Sequence, residues 1–172
     1  VAAATLKWAP RSLSARELAE QLGAGATCVV RRAVVKADGA ARAVKIVRKA
    51  DVRGEKQLER LRREKALLAE LDHATIVSSY GTLQDDTSLY FVLELLTGGE
   101  LLWHLRRAPG GRLPEGAARV VLAALLCPLS YMLHCGILYR DLTPPNVLFP
   151  ARGQLKPIDF GRATRTGTRA ET

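Results

Sequence analysis

The amino-acid sequence predicts an α+β chain in two parts: a small antiparallel sheet carrying one main helix, then a mainly helical region. Three observations predict it. Short apolar runs separated by glycine and Asp-Gly turn signals fill the first half. One stretch there, Glu55 to Leu71, instead repeats apolar side chains at helical spacing. Beyond Leu95 the strand pattern gives way to longer apolar stretches opened or interrupted by Pro. With 172 residues, 48% of them hydrophobic and 25% charged, the chain supports one sizeable core or two small lobes.

Residues 1–15 are weakly patterned and read as a tail, followed by one lobe over 16–95 and a second over 96–172. Glu17 to Val35 carries two apolar runs around Gly23-Ala24-Gly25, which predicts a hairpin with a glycine loop. Asp38-Gly39 is a second turn signal, and Ala43 to Val47 is the next strand. The helix over Glu55 to Leu71 places Leu61, Leu68 and Leu71 on one stripe. Ile76 to Gly81 and Ser88 to Leu95 read as two further strands around an Asp85-Asp86 turn. Gly99 to Arg107 is a short helix and Gly110-Gly111 a linker. Pro114 then opens a long apolar helix containing Pro128, where a missing donor and a ring clash cost roughly 3 kcal/mol unless the helix bends. Asn146 to Phe149 and Gln154 to Ile158 are short apolar pieces ending in loops.

Several function classes recede at this level. The net charge is +9, but its basic residues are dispersed rather than interleaved with aromatics in a block, so no nucleic-acid partner is expected. Cys28, Cys127 and Cys135 form no CxxC pair, and no signal peptide opens the chain, which favours a reducing, cytoplasmic location. Val120 to Leu138 lacks charge over a membrane-spanning length. Pro128, His134 and Gly136 interrupt it, so a buried core helix ending at Gly136 is expected rather than a span. The chain begins with Val1, which suggests processing or a fragment.

Two charges stand where the pattern calls for apolar groups. Glu64 falls on the leucine stripe of the helix, and Lys45 lies inside an apolar strand. Burying either alone is expensive, so pairing across a sheet–helix interface is the economical solution. The alternative is that each reaches solvent at an edge. Leu22-Gly23-Ala24-Gly25 lets the backbone close over phosphate and offer N–H donors, although Cys28 stands where a third glycine would. More specific is Tyr139-Arg140-Asp141-Leu142-Thr143-Pro144-Pro145-Asn146, a stiffened loop carrying an acceptor and an oxygen ligand. Asp159-Phe160-Gly161 adds a second carboxylate after an apolar strand.

This ordered set resembles the eukaryotic protein kinases over about Glu17 to Thr172. The resemblance implies a protein-kinase-like fold that transfers the γ-phosphoryl group of ATP, with Mg, to a Ser or Thr hydroxyl of a protein substrate. It implies that Lys45 holds the nucleotide phosphates and Glu64 holds Lys45. Asp141 would be the catalytic base, with Asn146 and Asp159 as metal ligands. Tyr139, together with Leu95-Leu96-Thr97-Gly98-Gly99-Glu100-Leu101, is similar to the AGC group and its cyclic-nucleotide-dependent branch. On that footing the hinge lies around Glu94 to Leu96, Leu93 is the gatekeeper and Glu100 reaches the ribose. Leu22, Val30, Ala43 and Leu148 would enclose the adenine. Arg140 would read a phosphate on Thr172, placed there by an upstream kinase.

The chain also departs from the pattern. Thr143 and Pro145 replace a usual Lys and Glu, and Pro157 removes a ladder donor before Asp159. The sequence stops before an Ala-Pro-Glu motif, so a truncated kinase is expected, with apolar surface on its long helix uncovered and little activity of its own. A nucleotide-binding pseudokinase or scaffold stays open as the alternative.

Overall fold

The computed structural model describes residues 18–25, 27–35 and 39–167; the expected tail and Thr172 lie outside them. Two compact units emerge. The first is made of residues up to Glu70 with Ser78–Leu95, the second of Leu71–Val77 with the residues from Leu96 onward.

In the first unit, β1 (Leu18–Ala24), β2 (Cys28–Val34), β3 (Ala41–Arg48), β4 (Ser79–Gln84) and β5 (Ser88–Glu94) form one antiparallel sheet in the order β1-β2-β3-β5-β4. β3 is central and rich in β-branched residues, with Val44 and Val47 buried against Phe91 and Val92 of its neighbour. Helix α1 (Glu55–Glu70) follows Gly54, and its first turn is steadied where the Arg53 N–H donates to Gln57 Oε1 at 2.7 Å. Its buried residues are Glu64, Leu67 and Leu68. The β4–β5 turn is organised by Asp85, whose carboxylate accepts from the N–H groups of Thr87 and Ser88 at 2.8 and 2.7 Å.

One strand differs from expectation. The run Ile76 to Gly81 does not extend as a unit; β4 begins at Ser79 instead. Ile76 and Val77 are buried, as their apolar character requires, but they belong to the second unit. A tight turn competes with extension there: the His73 ring nitrogen meets Thr75 Oγ1 at 2.8 Å, and the Ile76 N–H donates to the His73 carbonyl.

The second unit holds α2 (Leu101–Arg107), α3 (Glu115–His134) and four two-residue strands, β6 (Ile137–Leu138), β7 (Val147–Leu148), β8 (Lys156–Pro157) and β9 (Thr164–Arg165). β6 pairs with β9 and β7 with β8. Their core is Leu101, Leu125, Val147 and Leu155, with Val121, Ala124 and Phe149 packed against it.

The long helix is a core helix along one face only, and apolar surface on it is left uncovered. Leu125, Pro128 and Met132 form a buried stripe at helical spacing, but Val120 is 69% and Leu126 66% exposed, and Leu122 and Leu133 also face outward. The described neighbours cover one face, and an apolar sequence does not by itself recruit a partner for the other. Length and composition alone would let α3 cross a bilayer, which is weak support for a span in a helix packed against a domain core. α3 runs on through Pro128 and ends at His134, two residues before Gly136, whose φ of 69° is the left-handed geometry that stops a helix.

Candidate active site

Lys45 sits in mid-β3, directly opposite Val30 on one side and Phe91 on the other. Its Nζ donates to Glu64 Oε1 at 2.6 Å, and Glu64 is only 3% exposed. Pairing is therefore the solution adopted, and the route to solvent is not. A buried ion pair is a poor stabiliser, because desolvating two charges offsets most of their attraction, and apolar residues of like volume often serve better. Its presence in an apolar layer points to chemistry rather than to stability.

The glycine loop closes β1 onto β2, with Gly23 opposite Val30, Ala24 opposite Val29 and the Gly25 N–H donating to the Cys28 carbonyl at 2.8 Å. A side chain on Gly23 would meet nothing within 4 Å, so the backbone there is open to an approaching group. Beside Gly25 the space is taken by Cys28, whose Sγ lies 3.1 Å from where a Cβ would stand. Leu22 is 46% exposed. Ala43 and Leu93 are paired and buried on adjacent strands. Glu94 is clamped, its Oε2 accepting from the Ser78 N–H at 3.1 Å while its own N–H donates to the Ser78 carbonyl.

In the second unit, buried Leu96 precedes a segment strapped to β7. Glu100 and Leu148 form an antiparallel bridge, the Gly98 N–H donates to the Phe149 carbonyl, and the Phe149 N–H donates to the Gly99 carbonyl. Gly98 permits this approach: a Cβ there would stand 2.6 Å from the Pro150 carbonyl oxygen. The expected ribose and adenine positions, Glu100 and Leu148, are thus brought side by side.

The loop from Tyr139 to Asn146 is built around hydrogen bonds. Asn146 Nδ2 donates to Asp141 Oδ2 at 2.9 Å and to the Asp141 carbonyl at 3.1 Å. With its amide nitrogen so engaged, Asn146 turns Oδ1 away as an acceptor. A 3₁₀ turn, Pro144–Asn146, fixes the amide's place, closed by the Asn146 N–H on the Thr143 carbonyl. The β7–β8 pairing and the Ile158 N–H on the Asn146 carbonyl bring Asp159 alongside. Pro157 is tolerated because β8 has only two residues and the ring is fully buried. Asp159 Oδ1 accepts from the Gly161 N–H at 2.9 Å, while Phe160 is buried edge-on to Tyr139, ring centroids 5.5 Å apart. Burial, then the carboxylates of Asp159 and Asp141, push the Tyr139 hydroxyl well above its ordinary range.

The structure therefore gathers Asp141, Asn146 and Asp159 in one place and Lys45 with Glu64 in another. Sequence reading missed Arg162, whose Nη1 lies 3.6 Å from Asp141 Oδ1. Nothing in local patterning marks it, since the contact spans a chain reversal; only its place directly after Asp159-Phe160-Gly161 hints at proximity. It also missed the close approach at Gly98, for which the Gly98-Gly99 doublet was the available signal. Oxygen donors alone are offered by Asn146 and Asp159, a set that suits magnesium completed by phosphate and water.

Comparison with known proteins agrees with this arrangement. Residues 16–172 match the protein kinase domain. The chain is 40% identical over 153 residues to CBL-interacting protein kinase 4 of Oryza sativa subsp. japonica, covering 88% of this chain and 34% of that protein. It is 36% identical over 156 residues to human cGMP-dependent protein kinase 2, covering 91% and 20%. To the cAMP-dependent protein kinase catalytic subunit of Schizosaccharomyces pombe it is 37% identical over 126 residues, covering 73% and 24%. The chain thus spans about a third or less of the length of these curated relatives. An antiparallel-sheet lobe with one main helix, the start of a helical lobe, and this match together place the chain in the protein kinase family.

Proposed function

We propose that the chain carries the nucleotide-binding and catalytic-loop residues of a protein serine/threonine kinase, moving the γ-phosphoryl group of ATP to a Ser or Thr hydroxyl of a protein. The observation that carries this reading is the Asn146–Asp141 contact: one amide orients a carboxylate through its nitrogen and keeps its oxygen for a cation. The similarity to kinases named as cGMP- and cAMP-dependent supports serine/threonine rather than tyrosine specificity.

Positioning and electrostatics supply most of the rate in such a transfer. In this reading Leu22, Val30, Ala43 and Leu148 hold the adenine between apolar surfaces, the backbone from Glu94 to Leu96 reads its edge, and Glu100 receives the ribose. The N–H groups of Gly23, Ala24 and Gly25 lie over the phosphates. Lys45 orients those phosphates, and Glu64 restricts Lys45 to one rotamer. Asn146 and Asp159 would hold magnesium, which when bound neutralises charge on the phosphate oxygens. Asp141 accepts the proton of the substrate hydroxyl as its oxygen attacks phosphorus and the bond to the β-phosphate oxygen breaks, leaving ADP. Phosphorylation of Thr172 by an upstream kinase, read by Arg140, and a cytoplasmic location remain parts of this proposal.

Protein containing this chain is expected to transfer ³²P from γ-labelled ATP to a Ser/Thr peptide in the presence of magnesium, and Asp141→Asn to abolish transfer while leaving ATP-induced thermal stabilisation intact. ATP stabilisation without any transfer by the unsubstituted protein would favour the pseudokinase reading, for which Cys28 in the glycine loop and Thr143 in the catalytic loop are the specific observations.

A further inference from the structure

Between Asp141 and Asn146 the chain reads Asp-Leu-Thr-Pro-Pro-Asn, with no cation. A carboxylate meant to receive a proton beside a highly charged phosphoryl group needs positive charge nearby, to keep phosphate and carboxylate from repelling each other. Arg162 places one there. Its Nη1 stands 3.6 Å from Asp141 Oδ1, the carboxylate oxygen opposite the one that Asn146 engages.

The backbone of Arg162 is fixed on three sides. Its carbonyl accepts from Arg140 Nε at 2.9 Å, in a loop where Arg140 itself holds a left-handed φ of 61°. The next residue, Ala163, is fully buried, and its N–H donates to the Phe160 carbonyl at 3.0 Å. β9 then pairs with β6, Leu138 opposite Thr164. The guanidinium, by contrast, is 65% exposed and beyond hydrogen-bond distance of Asp141. An exposed pair of this kind adds little to stability. An anchored stem with a forward-facing, incompletely engaged fork suits a group that receives an anion.

Resting on the kinase reading above, we infer that Arg162 is a catalytic residue: it contacts the non-bridging oxygens of the γ-phosphoryl group as it passes from ADP to the substrate hydroxyl beside Asp141. The balance is that of the transfer itself. The phosphorus–oxygen bond to ADP breaks with its electron pair remaining on ADP, the hydroxyl oxygen bonds to phosphorus, and its proton goes to Asp141. Arg162 stays protonated throughout.

The test uses protein containing this chain, as for the transfer assay above, and compares it unsubstituted with Arg162→Ala, Arg162→Lys and Arg162→Ala/Thr143→Lys, measuring kcat and KM for ATP and peptide together with the thermal midpoint. The expected result for Arg162→Ala is a kcat lowered about a hundredfold, the lower end of the range for losing one transition-state donor, with KM for ATP nearly unchanged. The midpoint should stay within roughly 3 °C. Arg162→Lys should keep much of the rate, and a cation restored at position 143 should recover part of what Arg162→Ala loses. An unchanged or raised kcat in Arg162→Ala overturns the inference, the latter by showing that Arg162 obstructs Asp141. So does a loss confined to KM or to the midpoint, or one that neither lysine variant relieves. If the unsubstituted protein transfers nothing, the kinase reading itself falls and this inference with it, an outcome distinct from normal transfer that is indifferent to Arg162.

Discussion

Removing one member of the Lys45–Glu64 pair should cost far more than removing both. At 2.6 Å, with an effective dielectric constant near 20, their attraction is about 6 kcal/mol. Taking two ions out of water costs several kcal/mol each, so the intact pair contributes little net stability. Breaking it from the lysine side leaves a carboxylate 3% exposed, and Lys45→Met is expected to lose about 3–5 kcal/mol. Glu64→Gln keeps volume and an acceptor and leaves a lysine that is 15% exposed on a flexible stem, so its loss should be smaller, about 1–3 kcal/mol. Lys45→Met/Glu64→Met removes both charges and should return to within about 1 kcal/mol of the parent, or above it. Urea unfolding with a common m-value measures all four proteins, and phosphoryl transfer is assayed alongside. The pair is expected to separate fold from chemistry: the double variant recovers stability without recovering turnover. A double variant no more stable than Lys45→Met, or a Lys45→Met cost below about 1 kcal/mol, would refute the reasoning.

Two further outcomes follow from local geometry. Gly98→Ala forces a Cβ to within 2.8 Å of three atoms of Phe149 and Pro150 and should lower stability by about 1–3 kcal/mol, whereas Gly116→Ala in α3 meets nothing within 4 Å and should raise it by up to about 1 kcal/mol; thermal melts of both check the contrast. The hydroxyl of Tyr90 and then the Thr87 and Ser88 donors hold the Asp85 carboxyl below its ordinary value of 3.8, so its contribution is fully present above that value and is lost as pH falls below it. Stability of the parent should therefore exceed that of Asp85→Asn at neutral pH, and the gap should narrow steadily as pH falls below about 4; a gap as wide at about pH 2 as at about pH 7 would refute the assignment.

Much of this was legible in the sequence where a residue contradicted its surroundings. Glu64 on a leucine stripe and Lys45 in an apolar strand explained each other, because the cost of an unpaired buried charge is large enough to decide the matter. The Pro-stiffened loop around Asp141 and Asn146 was legible for a similar reason, since Pro and Asn restrict the backbone locally. What escaped was set by tertiary context. α3 is apolar on every face, so periodicity carried no information about which stripe would be covered. Ile76 and Val77 are buried outside the strand expected of them, because a His73–Thr75 turn assigns them to the other unit. Arg162 reaches Asp141 only because β9 returns to pair with β6, and no local signal encodes a two-residue pairing.

Tyr139 has a consequence for acid response. A histidine under this loop would become a cation near pH 6.5 and change the field felt by the neighbouring carboxylates as a compartment acidifies. The phenol here lies edge-on to Phe160 and is kept neutral by its burial and then by Asp159 and Asp141, so mild acid finds nothing to protonate at that position. The loop's foundation is thereby insulated from the physiological proton concentration.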